Sequence, residues 1–271
     1  MIAAIRSEYR KFFSTRLWWI LMLVMFAYIL LFSGGVAGIF SWLETSDPET
    51  FQGTAESMRP MAYGFAPSLG YVFPAIVGAL AWTNEYRHRT IVPTFLGEPR
   101  RGVVSIAKAV AGVPMGFVIG LVGTIAAVGG GAVGFAIFGF PTQLGDVETW
   151  KNAGLSVLAL TIWAILGVGL GMLITSQIGV IITLLVWTQL LEGIVMLVCI
   201  AFEATRGVPK YLPGQLGAAI VGGSETAMLD PTGGLGAGDT LVWWQAALLL
   251  AGYGVVFGIV GYFVRIRRDV N

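Results

Sequence analysis

The stretch 83-TNEYRHRTIVPTFLGEPRRGVVSIAK-108 decides how the rest of this sequence is read. It holds Arg87, Arg89, Arg100, Arg101 and Lys108, five of the sixteen basic residues, together with His88, the one histidine. Long apolar runs lie on both sides of it. A charged, helix-like hairpin between two membrane-length runs cannot rest in hydrocarbon, where its polar groups find no partners, so it projects into water. Its basic excess favours the cytoplasmic side. The reading is a handle on a membrane-embedded protein, available to a soluble partner.

Composition agrees. Of 271 residues, 56% are hydrophobic and 11% charged, whereas a soluble domain carries about 25% charged residues. The 38 glycines are read as sites of close helix packing rather than as loops. The single cysteine, Cys199, excludes an intrachain disulfide and a cysteine-based metal site, and is read as a small buried hydrophobe.

Working outward, the spacing of Ile2, Ile5, Tyr9, Phe12 and Phe13 predicts an amphipathic interfacial helix over 2–16, with Arg10, Lys11 and Arg16 facing the polar side. The fold class expected is an all-α membrane protein with six spans, over 17–43, 61–82, 108–138, 152–174, 180–201 and 241–264. The run before the first span is not a signal peptide, because the apolar stretch continues too far and lacks a cleavage site. Trp18, Trp19, Trp42, Trp150, Trp243 and Trp244 fall at span ends, as aromatic belts require.

Pro48 and Pro60 argue against a continuous helix through the acidic segment 44–60, and Pro74 predicts a kink within the second span. The short turn 175–179 predicts that the fourth and fifth spans are antiparallel neighbours. The loop 203–240 is the longest; Leu216–Val221 within it is a candidate re-entrant helix, followed by the Gly-rich segment Gly233–Gly238.

Six spans put both termini on the side of the loop 83–107. That side then carries twelve basic residues and the other side four, namely Arg59, Lys151, Arg206 and Lys210. The asymmetry predicts cytoplasmic termini.

Several motifs have plain explanations. Gly129, Gly131 and Gly134 match a dinucleotide-binding string, but they lie in an apolar span with no preceding strand and are read as packing glycines. No Gly-x-x-x-x-Gly-Lys-Ser/Thr string occurs, so the chain holds no phosphate loop, nucleotide cofactor or catalytic site of its own. The pairs Gly34/Gly38, Gly116/Gly120, Gly130/Gly134, Gly167/Gly171 and Gly254/Gly258 are read first as contacts within one chain. His88 lacks companions for a metal site. The basic loop suits either a protein partner or anionic lipid heads.

Glu192 is the one ionisable residue inside a span. A charge there costs at least about 2.5 kcal/mol on insertion scales, so it must face protein, water or a donor. Thr188 and Gln189, one turn earlier, are placed on its face. The readings open for it are a substrate contact, a proton relay, a gate or a structural hydrogen bond.

The full length resembles the permease subunit of type-2 ATP-binding cassette exporters. An interfacial helix ending Ser14-Thr15-Arg16, the long second loop and the long last outer loop carry the likeness. So do Asn84-Glu85-Tyr86-Arg87-His88-Arg89-Thr90, Pro99-Arg100-Arg101 and Lys108, similar to the family's Glu-x-x-x-Gly-Thr, Pro-x-Arg and Lys elements, with Arg89 where Gly is usual. Phe263, Arg267, Arg268 and Asp269 are also family-like. The resemblance implies that Glu85–Thr90, with Arg100 and Arg101, form a coupling helix docking on a separate cytoplasmic ATPase. It implies two permeases, as a homodimer or heterodimer, and two ATPases, with ATP and Mg bound in the latter. It further implies alternating-access export across a prokaryotic cytoplasmic membrane, with the loop 203–240 as the external lid. The apolar spans suit an amphiphilic, drug-like, lipid-like or peptide substrate, and no nucleic-acid partner is expected. Two rival readings are a proton-coupled transporter working through Glu192 and a non-transporting immunity or scaffold protein.

Overall fold

The apolar stripe through Ile5, Tyr9 and Phe12 forms helix α1 (Ile2–Ser14) in the computed structural model, which describes residues 2–222 and 241–266. The described residues form helices and no strand. Among the described residues, five helical stretches are long and apolar enough to cross a membrane: α2 (Leu17–Ser46), α9 (Arg101–Ile137), α10 (Val147–Leu173), the stretch Gln177–Cys199 and the stretch Trp243–Ile266. The Gly-rich segment 233–238 and the terminal Arg267, Arg268 and Asp269 lie outside the described residues.

The expected second span, 61–82, is not one helix. It is divided into α5 (Arg59–Tyr63), α6 (Phe65–Leu69) and α7 (Val72–Arg87), after two single-turn helices, α3 (Pro48–Phe51) and α4 (Thr54–Ser57). Pro74 therefore kinks nothing. It sits in the first turn of α7, where its missing N–H has no intrahelical acceptor to satisfy. At 16 residues, α7 is about 24 Å long, less than the roughly 30 Å of a hydrocarbon core.

A short helix α8 (Ile91–Gly97) follows, and then α9 runs unbroken for 37 residues, so the helix of the span expected over 108–138 already starts at Arg101. Its length of about 55 Å carries it well past one bilayer core.

Helix α10 is the centre of the bundle, packing against α7, α9 and the last long helix, α14 (Trp243–Gly261). Glycine makes this possible. A methyl on Gly167 would collide with the carbonyl oxygen of Ala75, and one on Gly171 with that of Ala79, so α7 and α10 approach backbone to backbone. Across the α2–α9 seam, a Cβ on Gly130 would lie 2.6 Å from Leu30 O, and one on Gly134 2.6 Å from Gly34 O. These glycine pairs make contacts within the chain, and Gly131 packs against Tyr63.

The fourth long stretch is built from α11 (Gln177–Val186), a five-residue π-helical segment (Trp187–Leu191) and α12 (Glu192–Ala201). Ser176 Oγ accepts from Gly179 N and caps its start. Contrary to the antiparallel-neighbour expectation, α11 packs on α7 more than along α10. The loop that follows contains α13 (Pro213–Ile220), whose Leu216 and Ile220 are fully buried against the bundle. Cys199 is half-buried rather than buried.

Candidate functional site

Three elements meet at the end of the bundle that carries the loop 88–100. Helix α1 brings Glu8 and Lys11, α7 brings Glu85, and α9 brings Lys108. Glu8 stands three residues after Ile5 and four before Phe12, inside the apolar stripe of α1, so the face that packs inward carries one carboxylate with it.

Lys108 is fully buried, and its ammonium donates to Glu8 Oε2, Glu85 Oε1 and Ala81 O, each at 2.7 Å. An ammonium has three N–H groups, and all three are used. Its Nζ also lies 5.1 Å from the ring centroid of buried Trp82. Lys11 closes the group, donating to Glu8 Oε1 at 2.8 Å and Glu85 Oε1 at 2.6 Å, with a longer contact of 3.4 Å to Thr94 Oγ1 on α8. Burial pulls the Lys11 pKa down, but the bonds to Glu8 and Glu85 outweigh it and hold the pKa above its ordinary value. Two carboxylates thus balance two ammonium groups, which makes so buried a cluster affordable.

This geometry corrects the sequence reading. Glu85 and Lys108 are not exposed parts of a projecting handle but its buried anchor. Lys11 turns inward, while Arg10 and Arg16 remain exposed as expected of the polar face of an interfacial helix. Tyr86 is half-buried, packed against the small core of Trp82, Ile91, Val104 and Met172.

The exposed residues begin at Arg87. Its Nη1 donates to Gln177 Oε1 at 2.8 Å, tying the end of α7 to the start of α11. His88 caps α7 and Arg89 adopts φ 56°, in the left-handed region. Arg89 N donates to Tyr86 O at 3.3 Å and Thr90 N to Glu85 O at 2.9 Å. This is a Schellman ending, in which glycine is the usual residue at the left-handed position.

Beyond it, α8 turns Ile91 inward and leaves Val92 and Leu96 exposed, at 50% and 78%. Arg100 pairs with Glu98 at 2.8 Å and holds its carboxyl below the ordinary range. Arg101 is half-buried, stacks over Phe95 and donates to Ile266 O at 2.6 Å. The N-terminal helix, the loop and the end of the last helix therefore lie at one end of the bundle. No local hydrophobic period marks Val92 and Leu96 as the exposed tip; Glu8 was legible as an acid within an apolar stripe.

Glu192 sits elsewhere, directly after the π-helical segment. It is buried, and its Oε1 accepts from Gly214 N at 2.6 Å and Gln215 N at 3.1 Å, the first amides of α13. It therefore holds that helix by its N-terminus, where a carboxylate offsets unpaired amides and the helix dipole. Thr188 and Gln189 do not share this site. The Thr188 carbonyl accepts from Tyr71 Oη at 3.2 Å, and Gln189 is exposed, donating to Thr188 Oγ1 at 3.3 Å. Tyr71 in turn stacks on buried Trp163, ring centroids 4.4 Å apart.

No group of metal-ligating side chains occurs among the described residues. The chain matches no protein-family model and no curated protein.

Proposed function

We propose that this chain is the permease subunit of an ATP-driven exporter, working with a separate cytoplasmic ATPase that binds ATP and Mg. The observation that carries the reading is the exposed tip from Arg87 to Leu96, with its cationic and apolar side chains, mounted on a buried ion cluster that joins α1, α7 and α9. A force applied at α8 is passed to two membrane helices and the interfacial helix through charge-assisted contacts, those between Lys108 and the two carboxylates buried and those of Lys11 partly so. The coupling element is then α8 with Arg87–Thr90, rather than Glu85–Thr90 alone.

The co-location of α1, the loop and Ile266 at one end supports six crossings, the second completed by α5, α6 and α7. With the loop in the cytoplasm, both termini are cytoplasmic, and Arg10, Arg16 and the loop arginines face anionic lipid heads. Glu192 would latch the lid helix α13 on the outer half of the path.

The exposed Gln189 supports a second permease against α11 and α12, because polar side chains on membrane helices find partners across helix interfaces. The apolar bundle suits an amphiphilic, lipid-like, drug-like or peptide cargo.

The test is reconstitution with a candidate ATPase subunit, comparing wild type with Arg87→Ala/Leu96→Asp. Assembly and coupled ATP hydrolysis that the double variant loses support the reading. A chain that purifies as a stable unit and fails to bind any ATPase encoded beside it refutes it.

A further inference from the structure

Between α1, α7 and the first half of α9 lies a cavity of about 250 Å³. Much of its lining is apolar, including Val77, Leu80, Ala111 and Met115. Glu8, Lys11, Asn84, His88 and Lys108 make up much of its polar wall together with Glu85, whose side chain is 4% exposed. Glu85 Oε1 takes both lysines, whereas Oε2 has no hydrogen-bond partner among the described residues. A buried carboxylate oxygen without a donor loses the water it would have held outside, so a donor entering the cavity gains a charge-assisted bond. Lys11 also lines the cavity and is 40% exposed; its third contact, to Thr94, is long at 3.4 Å and easily replaced.

The charge balance narrows the ligand. Glu8 and Glu85 match Lys11 and Lys108, so a net ion would unbalance a desolvated cluster, while a zwitterion leaves it neutral. Because α1 is an amphipathic helix of the interfacial type, the cavity beneath it lies at headgroup depth.

We propose that this cavity binds one zwitterionic phospholipid whose headgroup ends in a primary ammonium. The ammonium donates to Glu85 Oε2, the phosphate accepts from Lys11, and the start of an acyl chain lies along Leu80, Ala111 and Met115. A choline headgroup has no N–H to offer Oε2 and is discriminated against. The site requires the membrane but is independent of any ATPase.

The test is native mass spectrometry of the delipidated full chain with synthetic phosphatidylethanolamine, phosphatidylcholine or dodecylamine. The expected result is one ethanolamine lipid retained with a preference of about tenfold or more over the choline lipid, the ratio one charge-assisted hydrogen bond carries. Glu85→Gln should erase the preference, and Met115→Trp should remove the bound lipid by filling the cavity while leaving the ion cluster intact. Should Glu85→Gln fail to fold, Met115→Trp and the smaller filling Ala111→Leu decide. Equal binding of the choline lipid, or retention of the ethanolamine lipid by both filled variants, overturns the proposal. Dodecylamine binding as tightly as the phospholipid overturns the assignment to a lipid headgroup in favour of a diffusible amine.

Discussion

Lys108 Nζ and Glu8 Oε2 lie 2.7 Å apart across 100 residues of chain, and both side chains are buried. This contact places a helix that would otherwise lie loosely at a membrane surface against the bundle. Its partners are shared, since Glu85 accepts from both Lys108 and Lys11.

Removing one member leaves a buried charge unpaired. Lys108→Ala should destabilise by about 3–5 kcal/mol, the range for breaking a buried pair. Lys11→Ala should cost less, because that side chain reaches solvent. Thermal unfolding in detergent checks the order, and equal losses would contradict the structure.

The cluster also has a defined alkaline limit. The Lys11 pKa is raised in the folded protein, so its contribution is fully present below the ordinary lysine value of about 10.4 and disappears as pH rises through the folded value. The difference in melting temperature between wild type and Lys11→Gln should stay level up to about pH 10 and shrink above it. A gap that closes between pH 7 and 9 would show that Lys11 is not held as described.

Arg89 occupies the left-handed position of the α7 ending. A left-handed conformation costs a non-glycine residue about 1–2 kcal/mol, partly offset by the greater unfolded-state freedom of glycine. Arg89→Gly should therefore stabilise by up to about 1 kcal/mol, and Arg89→Val should destabilise by about as much. Melting temperatures of the two variants should move in opposite directions.

Glu192 predicts a local rather than a global effect. Glu192→Ala removes two charge-assisted hydrogen bonds to α13, each worth about 1.5–3 kcal/mol. Hydrogen exchange at Gly214 and Gln215 should accelerate at least tenfold while α10 stays protected. Unchanged exchange would mean that α13 is held by its buried Leu216 and Ile220 alone.

Gly167 tests the packing. Gly167→Leu drives a side chain into the Ala75 carbonyl and should cost about 1–3 kcal/mol or more. Gly129→Leu, on the same kind of apolar helix but with open space at its Cβ, should be near neutral by the same thermal assay.

The amphipathic N-terminal helix, the long apolar helices and the glycine pairs were legible in the sequence because each is a local property of period, length or residue size. Pro74 was equally visible, but whether a proline kinks a helix or starts one depends on the break at Gly70 and Tyr71, which packing selects. Glu85 and Lys108 read as part of a polar loop because charge in a sequence is averaged with its neighbours. Only the fold brings Glu8 across 100 residues to Lys108, and Lys11 to Glu85, so that two carboxylates and two ammonium groups balance in a buried place. Glu192 was identifiable as a costly charge, whereas its partners, the first amides of α13, are backbone groups that no residue type announces. The sequence alone determined that this chain belongs in a bilayer and which end of it is basic. Tertiary structure decided which of those charges are buried, because desolvation and pairing depend on neighbours distant along the chain.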